Sequence, residues 1–450
     1  MTALLYLLGV VIFVVAILAS IGLHELGHMI PAKAFGGKVT QYMIGFGPTV
    51  WSKRVGETEY GLKAIPLGGY VKIIGMLPPG ATAVADEVTY DEHGQQVVKV
   101  RKSNTGMFTQ LISDARAAEW ELVEPGDEGR LFYKMPWWKK VVVMAGGPSV
   151  NILIAFGIYA SVFGTYGNPG DVVIEPVVST VQQCVVPVAE DGRVCTDEDP
   201  VTPAAQAGLE PGDRFLAFNG TPVEDWEQLQ GLIRGNDDGR AEILIERDGR
   251  EQTVVTNTTV SARPTSADDE TLTQVGFLGI SPSTELATGG VGYTLGQMGE
   301  MAKDTVVALG TLPAKVWDVA QAIVGLEERD PEGPVSIVGG GRLAGETTSH
   351  AEIPGGDKAA FLLLLIAGFN FFIGMFNFLP LLPLDGGHIA SALWEALRRG
   401  FARLTRRPDP GYVDAAKLLP VAYVVASAML VMGVVLIVGD LVVPLSLTGS

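Results

Sequence analysis

The sequence is short of charge. Of 450 residues only 18% are Asp, Glu, Lys or Arg, against about a quarter in an ordinary soluble chain. Basic residues are the scarcer kind: 32 Lys and Arg stand against 50 Asp and Glu, a formal net charge of -18. That balance argues against any partner held by its phosphate backbone, so no nucleic acid is expected. Cysteine is limited to Cys184 and Cys195, too few for a disulfide-dense mini-domain. A content of 47% hydrophobic residues excludes a disordered chain. What the sequence has in abundance is long uncharged runs.

A hydrocarbon core about 30 Å thick needs about 20 apolar residues per helix. Four stretches qualify: 1–23, 141–165, 361–384 and 418–438. The first lacks a basic leading region and a small-residue cleavage site, so it reads as a retained span. Lys and Arg mark the inner side of a membrane. Lys33, Lys38, Lys53 and Arg54 follow the first span, and Lys134, Lys139 and Lys140 precede the second. Arg398, Arg399, Arg403, Arg406 and Arg407 lie between the third and fourth. These segments are expected in the cytoplasm, with both termini outside and the stretch from about 166 to 360 exported. Residues 166–300 hold 23 Asp and Glu but 7 Lys and Arg, so the acidity is concentrated in the exported part.

The first span ends in His24-Glu25-Leu26-Gly27-His28. On a helix, positions i and i+4 share a face, so both imidazoles reach one tetrahedral zinc ion. Glu25 stands beside them, placed to take a proton from an activated water. Ionisable residues at a membrane span are costly and are functional by default. A catalytic zinc has three protein ligands and one open position. Asp385, in Leu384-Asp385-Gly386-Gly387, is the third candidate, because spans one and three run the same way and carry His24 and Asp385 to the same depth. Two alternatives stand beside it: Asp385 as the N-cap of a following helix, and His388 as the ligand instead. Pro380 and Pro383 cannot both sit in a regular helix, so the chain unwinds before Asp385. Irregular backbone at membrane depth lines a cavity or is buried in protein, which makes Pro380 a candidate substrate contact. Asn377 offers an amide either to a substrate or to a neighbouring helix, and Asn151 in the second span leaves the same choice.

The pairing of a membrane-embedded HExxH with Asn377-x-x-Pro380-x-x-x-Leu384-Asp385-Gly386 resembles the site-2 proteases, the intramembrane zinc metalloproteases, in the form of the bacterial regulator of sigma-E protease. The likeness extends to Ile44-Gly-Phe-Gly-Pro48, Ile65-Pro-Leu-Gly-Gly-Tyr-Val-Lys72, Ala145-Gly-Gly-Pro-Ser-Val-Asn151 and Gly333-Pro-Val-Ser-Ile337. The resemblance implies zinc on His24, His28 and Asp385, Glu25 as catalytic base, and Asn377 in substrate handling. It implies a bacterial cell membrane and single-span substrates such as anti-sigma factors, already cut once outside, with signal-peptide remnants as further clients. This chain departs from the enterobacterial form in having one PDZ-like module rather than two, and a longer insertion at about 80–134.

The expected architecture is an α-helical membrane protein with four transmembrane helices, a membrane-associated β-hairpin and an exported α+β PDZ-like domain. The first span with its HExxH covers 1–30. A cytoplasmic region, 31–140, contains the hairpin at 39–76, turning at Arg54-Val55-Gly56-Glu57, and a helix near Met107 to Leu122. A strand edge beside the zinc motif would bind an unwound substrate by β-addition; plain packing is the alternative. The second span is 141–165. The PDZ-like domain, 166–290, is read from Pro211-Gly212-Asp213, an apolar strand, Asn219-Gly220 and a helical run near Trp226 to Ile233. It either binds peptide ends or filters by size. Cys184 and Cys195 within it are a disulfide or two thiols. An amphipathic helix from Val306 to Val324, kinked at Pro313, is expected on the outer surface within 291–360. The third span is 361–384, a cytoplasmic loop follows at 385–414, and the fourth span lies in 415–443. The rival function is a catalytically silent membrane PDZ protein that recruits exported clients and holds a structural zinc. Such a site is closed by four protein ligands, and three are apparent.

Overall fold

The computed structural model describes residues 2–79, 89–90, 96–97, 107–186, 194–196, 199–266 and 269–445. Most of 80–106, the first part of the insertion expected at about 80–134, therefore lies outside the described residues. Contacts divide the chain into two units, one of Met1–Val162 with Gly290–Ser450, the other Phe163–Gly289.

The first unit is helical. Its long apolar helices are α1 (Thr2–Ala34), α3 (Trp137–Thr165, whose last residues belong to the second unit), α6 (Val291–Ile323), α8 (Gly355–Asn377) and α10 (Leu419–Val442). Among the described residues five helical segments are long and apolar enough to cross a membrane, one more than expected. The addition is α6, read from sequence as a surface helix. It is also longer than Val306 to Val324, and Pro313 sits inside it without interrupting it. The third span needs a correction too: α8 starts at Gly355 and stops at Asn377, short of Leu384, because the proline-bearing segment 378–384 leaves the helix.

Phe13 and Ile17 of α1 pack with Ile366 of α8 and Ala344 of α7 (Ile337–Ser349). Helix α7 was not foreseen. It starts where the Ser336 hydroxyl accepts from the amides of Val338 and Gly339, an N-cap that satisfies two otherwise orphaned donors.

The hairpin is more folded than its sequence suggests. Strand β1 (Val39–Val55) pairs antiparallel with β2 (Thr58–Ile73) through a turn at Gly56-Glu57. In addition, residues 41–44 pair with 69–72 on one side and 59–62 on the other. The result is a small sheet packed on α1: the Tyr42 hydroxyl donates to the Gly22 carbonyl of α1 at 2.7 Å, and Gly69 lies against Ile21 and Glu25. At its base Lys38, buried, donates to Asp127 and Glu124 at 2.7 Å each, and Arg130 holds Glu57 with two bonds of 2.7 and 2.8 Å. These partners keep the Asp127 and Glu57 carboxyls below their ordinary range and raise the Lys38 ammonium above its own. Helix α2 (Met107–Trp120) follows in the insertion.

The second unit is built on an antiparallel sheet ordered 280–287, 168–181, 214–218, 240–247, 250–257, with short helices α4 (Pro203–Gln206) and α5 (Trp226–Arg234). Phe215, Phe218, Leu229, Ile243 and Ile245 form its core. Leu229 and Ile233, one turn apart, are the buried face of α5, which Asp225 caps by accepting from the Gln228 amide. Both Asn219 and Gly220 have positive φ, 48° and 76°, as a type I′ hairpin turn requires. Asp213 is fully buried and held by two bonds from Arg247, 2.6 and 2.7 Å. Cys184 and Cys195 are joined in a disulfide.

Candidate metal centre

Three elements converge on the end of α1. Within that helix, His24 and His28 lie one turn apart with their Nε2 atoms separated by 3.2 Å. Helix α9 (Asp385–Leu404) brings Asp385 Oδ2 to 3.3 Å from each of those nitrogens. Leu384, not Asp385, occupies the N-cap position of α9, so the carboxylate is turned to the imidazoles rather than spent as a cap. The turn before it is tight. A Cβ at Gly386 would lie 2.1 Å from the Leu379 carbonyl oxygen, so the Gly-Gly pair lets segment 378–384 fold back over the start of α9.

The outer nitrogens fix the tautomers. His28 Nδ1 donates to the Val143 carbonyl at 2.8 Å, and His24 Nδ1 donates to Asn151 Oδ1 at 3.1 Å. Each Nε2 therefore presents a lone pair inward, beside a carboxylate oxygen. Two lone pairs and an anion directed at one point match a cation. Ligands about 2.05 Å from a tetrahedral zinc stand about 3.3 Å apart, which is the spacing present, so the donor set fits zinc in both chemistry and size.

Helix α3 supplies more than Asn151. A Cβ at Gly147 would lie 2.2 Å from His28 Nε2 and 2.7 Å from His24 Nε2, and one at Gly146 would lie 2.0 Å from the Gly27 carbonyl oxygen. Only glycine allows α3 to lie against the imidazoles. Small residues such as these permit close helix approach, but nothing local in the sequence tells what the pair approaches. The Val143 carbonyl was missed altogether, since a backbone acceptor leaves no residue-type signal.

Glu25 is buried, with Gly69 of the small sheet packed against its side chain. A cavity of ≈ 400 Å³ joins these groups and is lined by His24, Glu25, His28, Asn151, Asn377 and Asp385, with Gly68 to Val71 along one side. Asn377 faces it, although its side-chain amide donates back to the Ile373 carbonyl at 3.0 Å, the local bond of a helix terminus. Pro380 does not line the cavity: the turn carries it outward to an exposed position, and Pro383 lines the cavity instead. His388 lines it too, but the group whose ligand atoms converge is His24, His28 and Asp385.

The model of peptidase family M50 matches residues 12–407, a stretch that contains every residue of this centre. The chain belongs to peptidase family M50. It is 34% identical over 454 residues to zinc metalloprotease Rip1 of Mycolicibacterium smegmatis, covering 98% of each chain. The protein of the same name from Mycobacterium tuberculosis is 32% identical over 463 residues, 98% of this chain and 99% of the relative. A putative zinc metalloprotease of Brucella suis is 27% identical over 398 residues, 88% and 85%. As an M50 peptidase with several membrane-length apolar helices, the chain is a multi-pass membrane protein carrying a separate β-rich unit.

Proposed function

We propose that this M50 peptidase is an intramembrane zinc protease in which His24, His28 and Asp385 hold the metal and Glu25 is the general base. The observation that carries the reading is the convergence of two imidazole lone pairs and one carboxylate at tetrahedral spacing beside a buried glutamate. Zinc, when bound there, polarises the scissile carbonyl and brings the pKa of water to near 7. Glu25 accepts the proton of the attacking water on its carboxylate and returns it to the leaving amide nitrogen. Gly69 of the small sheet, packed against the Glu25 side chain, holds that carboxyl in place. Three protein ligands leave the fourth position open, which favours catalysis over a purely structural metal.

A helical substrate keeps its own amides bonded, so it has to unwind before attack. The 69–72 segment supports β-addition: it pairs with 41–44 on one side, while Gly69 to Val71 line the cavity. Asn377 at the cavity wall is suited to holding a substrate carbonyl once its bond to Ile373 is released. Pro380, exposed at the mouth of the turn, is assigned to the first contact with an entering segment.

Four spans describe the membrane part better than five. Helix α1 from Thr2 to His24 and helix α8 are each about 34 Å long, so Asp385 and the His pair meet when both run from outside to inside. Were α6 to cross as well, α8 would run the other way and Asp385 would sit at the opposite face. In support, the C-terminal end of α6 packs beside that of α10, with Val319 against Gly439 and Arg329 on Asp440 at 2.9 Å. Helix α6 therefore lies along the outer side, and the unit of 163–289 is exported. Its Pro-Gly-Asp turn, Asn-Gly turn and two short helices on an antiparallel sheet support a PDZ-like fold. By this reading it admits single-span clients, anti-sigma factors first cut outside among them, with signal-peptide remnants as a second class.

The test is a purified full-length enzyme offered candidate single-span substrates before and after zinc chelation. Cleavage lost on chelation and restored by added zinc is expected. Cleavage indifferent to the chelator would contradict the reading.

A further inference from the structure

Helix α9 is arranged inside out for a helix in water. Its charged residues Glu395 and Arg399 point at the protein: Glu395, 1% exposed, accepts from Lys140 of α3 at 2.8 Å and pairs with Arg399 at 3.1 Å. Its apolar residues point away. Trp394, Leu397, Phe401 and Leu404 are 54%, 63%, 58% and 84% exposed, and at 100° per residue they form one stripe about 80° wide. This helix is not among those long and apolar enough to span a membrane. An apolar stripe turned away from the protein, on a helix that does not span, calls for an apolar medium lying alongside it.

The flanks name that medium. Arg398 borders the stripe on one side, exposed Arg403 stands in the last turn of the helix, and Arg406 and Arg407 follow directly. The acids in this region are taken up internally, Glu395 by Lys140 and Arg399, and Asp409 by Arg399 at 3.3 Å. What is left is basic. A concavity of ≈ 470 Å³ lies between α9 and the segment after it, with Trp394, Leu397, Phe401 and Pro408 for its apolar wall and Arg398 and Arg407 at its rim. Arg398 is fixed there by donating to the Pro410 carbonyl at 2.7 Å. An apolar wall with guanidinium groups at the rim suits one kind of molecule, an anionic phospholipid: acyl carbons on the indole and phenyl faces, phosphate on the arginines.

We propose that α9 is an in-plane membrane helix that binds anionic phospholipid, its Trp394–Leu397–Phe401–Leu404 stripe in the leaflet and its arginines on the headgroups. Because Asp385 is the first residue of α9, the lipid also steadies the helix that carries the carboxylate of the metal centre. That last clause rests on the proposed protease function; lipid binding itself does not.

The test uses full-length protein in neutral detergent, with native mass spectrometry counting retained phosphatidylglycerol against phosphatidylcholine at equal concentration. Each arginine near an anionic surface is worth about fivefold. Wild-type protein should therefore prefer phosphatidylglycerol by fivefold or more, and R403Q/R407Q should lose most of that preference. L397S/F401S should retain less of both lipids. Arg240→Gln with Arg250→Gln, which removes the same charge from the exported unit, should change nothing. An equal retention of the two lipids by wild type, or a preference that survives R403Q/R407Q, overturns the proposal. So does displacement of the lipid by an equal concentration of inorganic phosphate, which would make the arginines a free-anion site. Self-association abolished by L397S/F401S without any lipid preference would assign the stripe to a second copy of the chain and overturn it as well. No proteolysis enters these measurements, so a failed protease assay leaves their outcome readable.

Discussion

The least replaceable residue near the metal centre is not a ligand. Gly147 has no side chain, and a single added carbon would fall 2.2 Å from His28 Nε2, inside the space the ligand atoms need. Gly147→Ala should weaken zinc binding by at least the ~10–100-fold typical of disturbed outer-shell contacts. Zinc per chain, measured by atomic emission after dialysis, should fall well below one while the helical content is unchanged. Full zinc retention would mean that α3 does not press on the imidazoles as described. The same scale decides what a sequence discloses. HExxH and the distant Asp385 declare themselves because ionisable side chains at the end of an apolar run are costly. Gly147 and the Val143 carbonyl carry no such mark, since their contribution is position rather than chemistry.

Among the elements, the small sheet is where sequence and structure part furthest. Alternation and the Gly56-Glu57 turn announce two strands, and two strands form. That residues 41–44 are flanked on both sides is not written in any period of two. It depends on bends at Gly45, Gly47 and Gly68, all with φ between 83° and 99°, and on tertiary contact with α1. The prolines, by contrast, were legible: Pro380 and Pro383 end α8 at Asn377, and the lost turns are what frees Asp385 to face the metal. In α6, Pro313 is accommodated within the helix, so a proline alone did not foretell its course. The sheet is tied down by Lys38 on Asp127 and Arg130 on Glu57. Both carboxyls have folded-state pKa values below their unfolded ones. Their stabilisation is thus complete above about pH 4–4.5 and is lost progressively below it, as pH falls toward the lowered folded-state values. Hydrogen exchange at the Ile74 amide, bonded to the Lys38 carbonyl, should lose protection below pH 4 once corrected for intrinsic rate. Protection that stays level down to pH 3 would remove the ion pairs from the account.

Across the whole molecule, the division of labour follows composition. Uncharged sequence supplies the helical unit, and the acidic stretch supplies the β-rich one. The helix count was less legible than the units, because length and apolarity cannot distinguish a helix in the membrane from one lying on it. The disulfide belongs to the β-rich unit. It closes a loop of sequence separation 11, worth about 2.5–3 kcal/mol by chain entropy. Cys184→Ser with Cys195→Ser should lower the melting temperature of that unit by several degrees while zinc content stays at one per chain. A simultaneous loss of zinc would tie the two units together more tightly than their separate cores suggest.

The central claim is that Glu25 works on water beside a zinc held by its neighbours, so that chemistry and metal binding can be separated at one residue. Glu25→Gln keeps the size of the side chain and removes its ability to accept a proton. Zinc content and cleavage of a single-span reporter, measured on the same preparation, should give one zinc per chain and activity at least about 100-fold below wild type. A glutamine variant that holds its zinc and cleaves as the wild type does would contradict the claim outright.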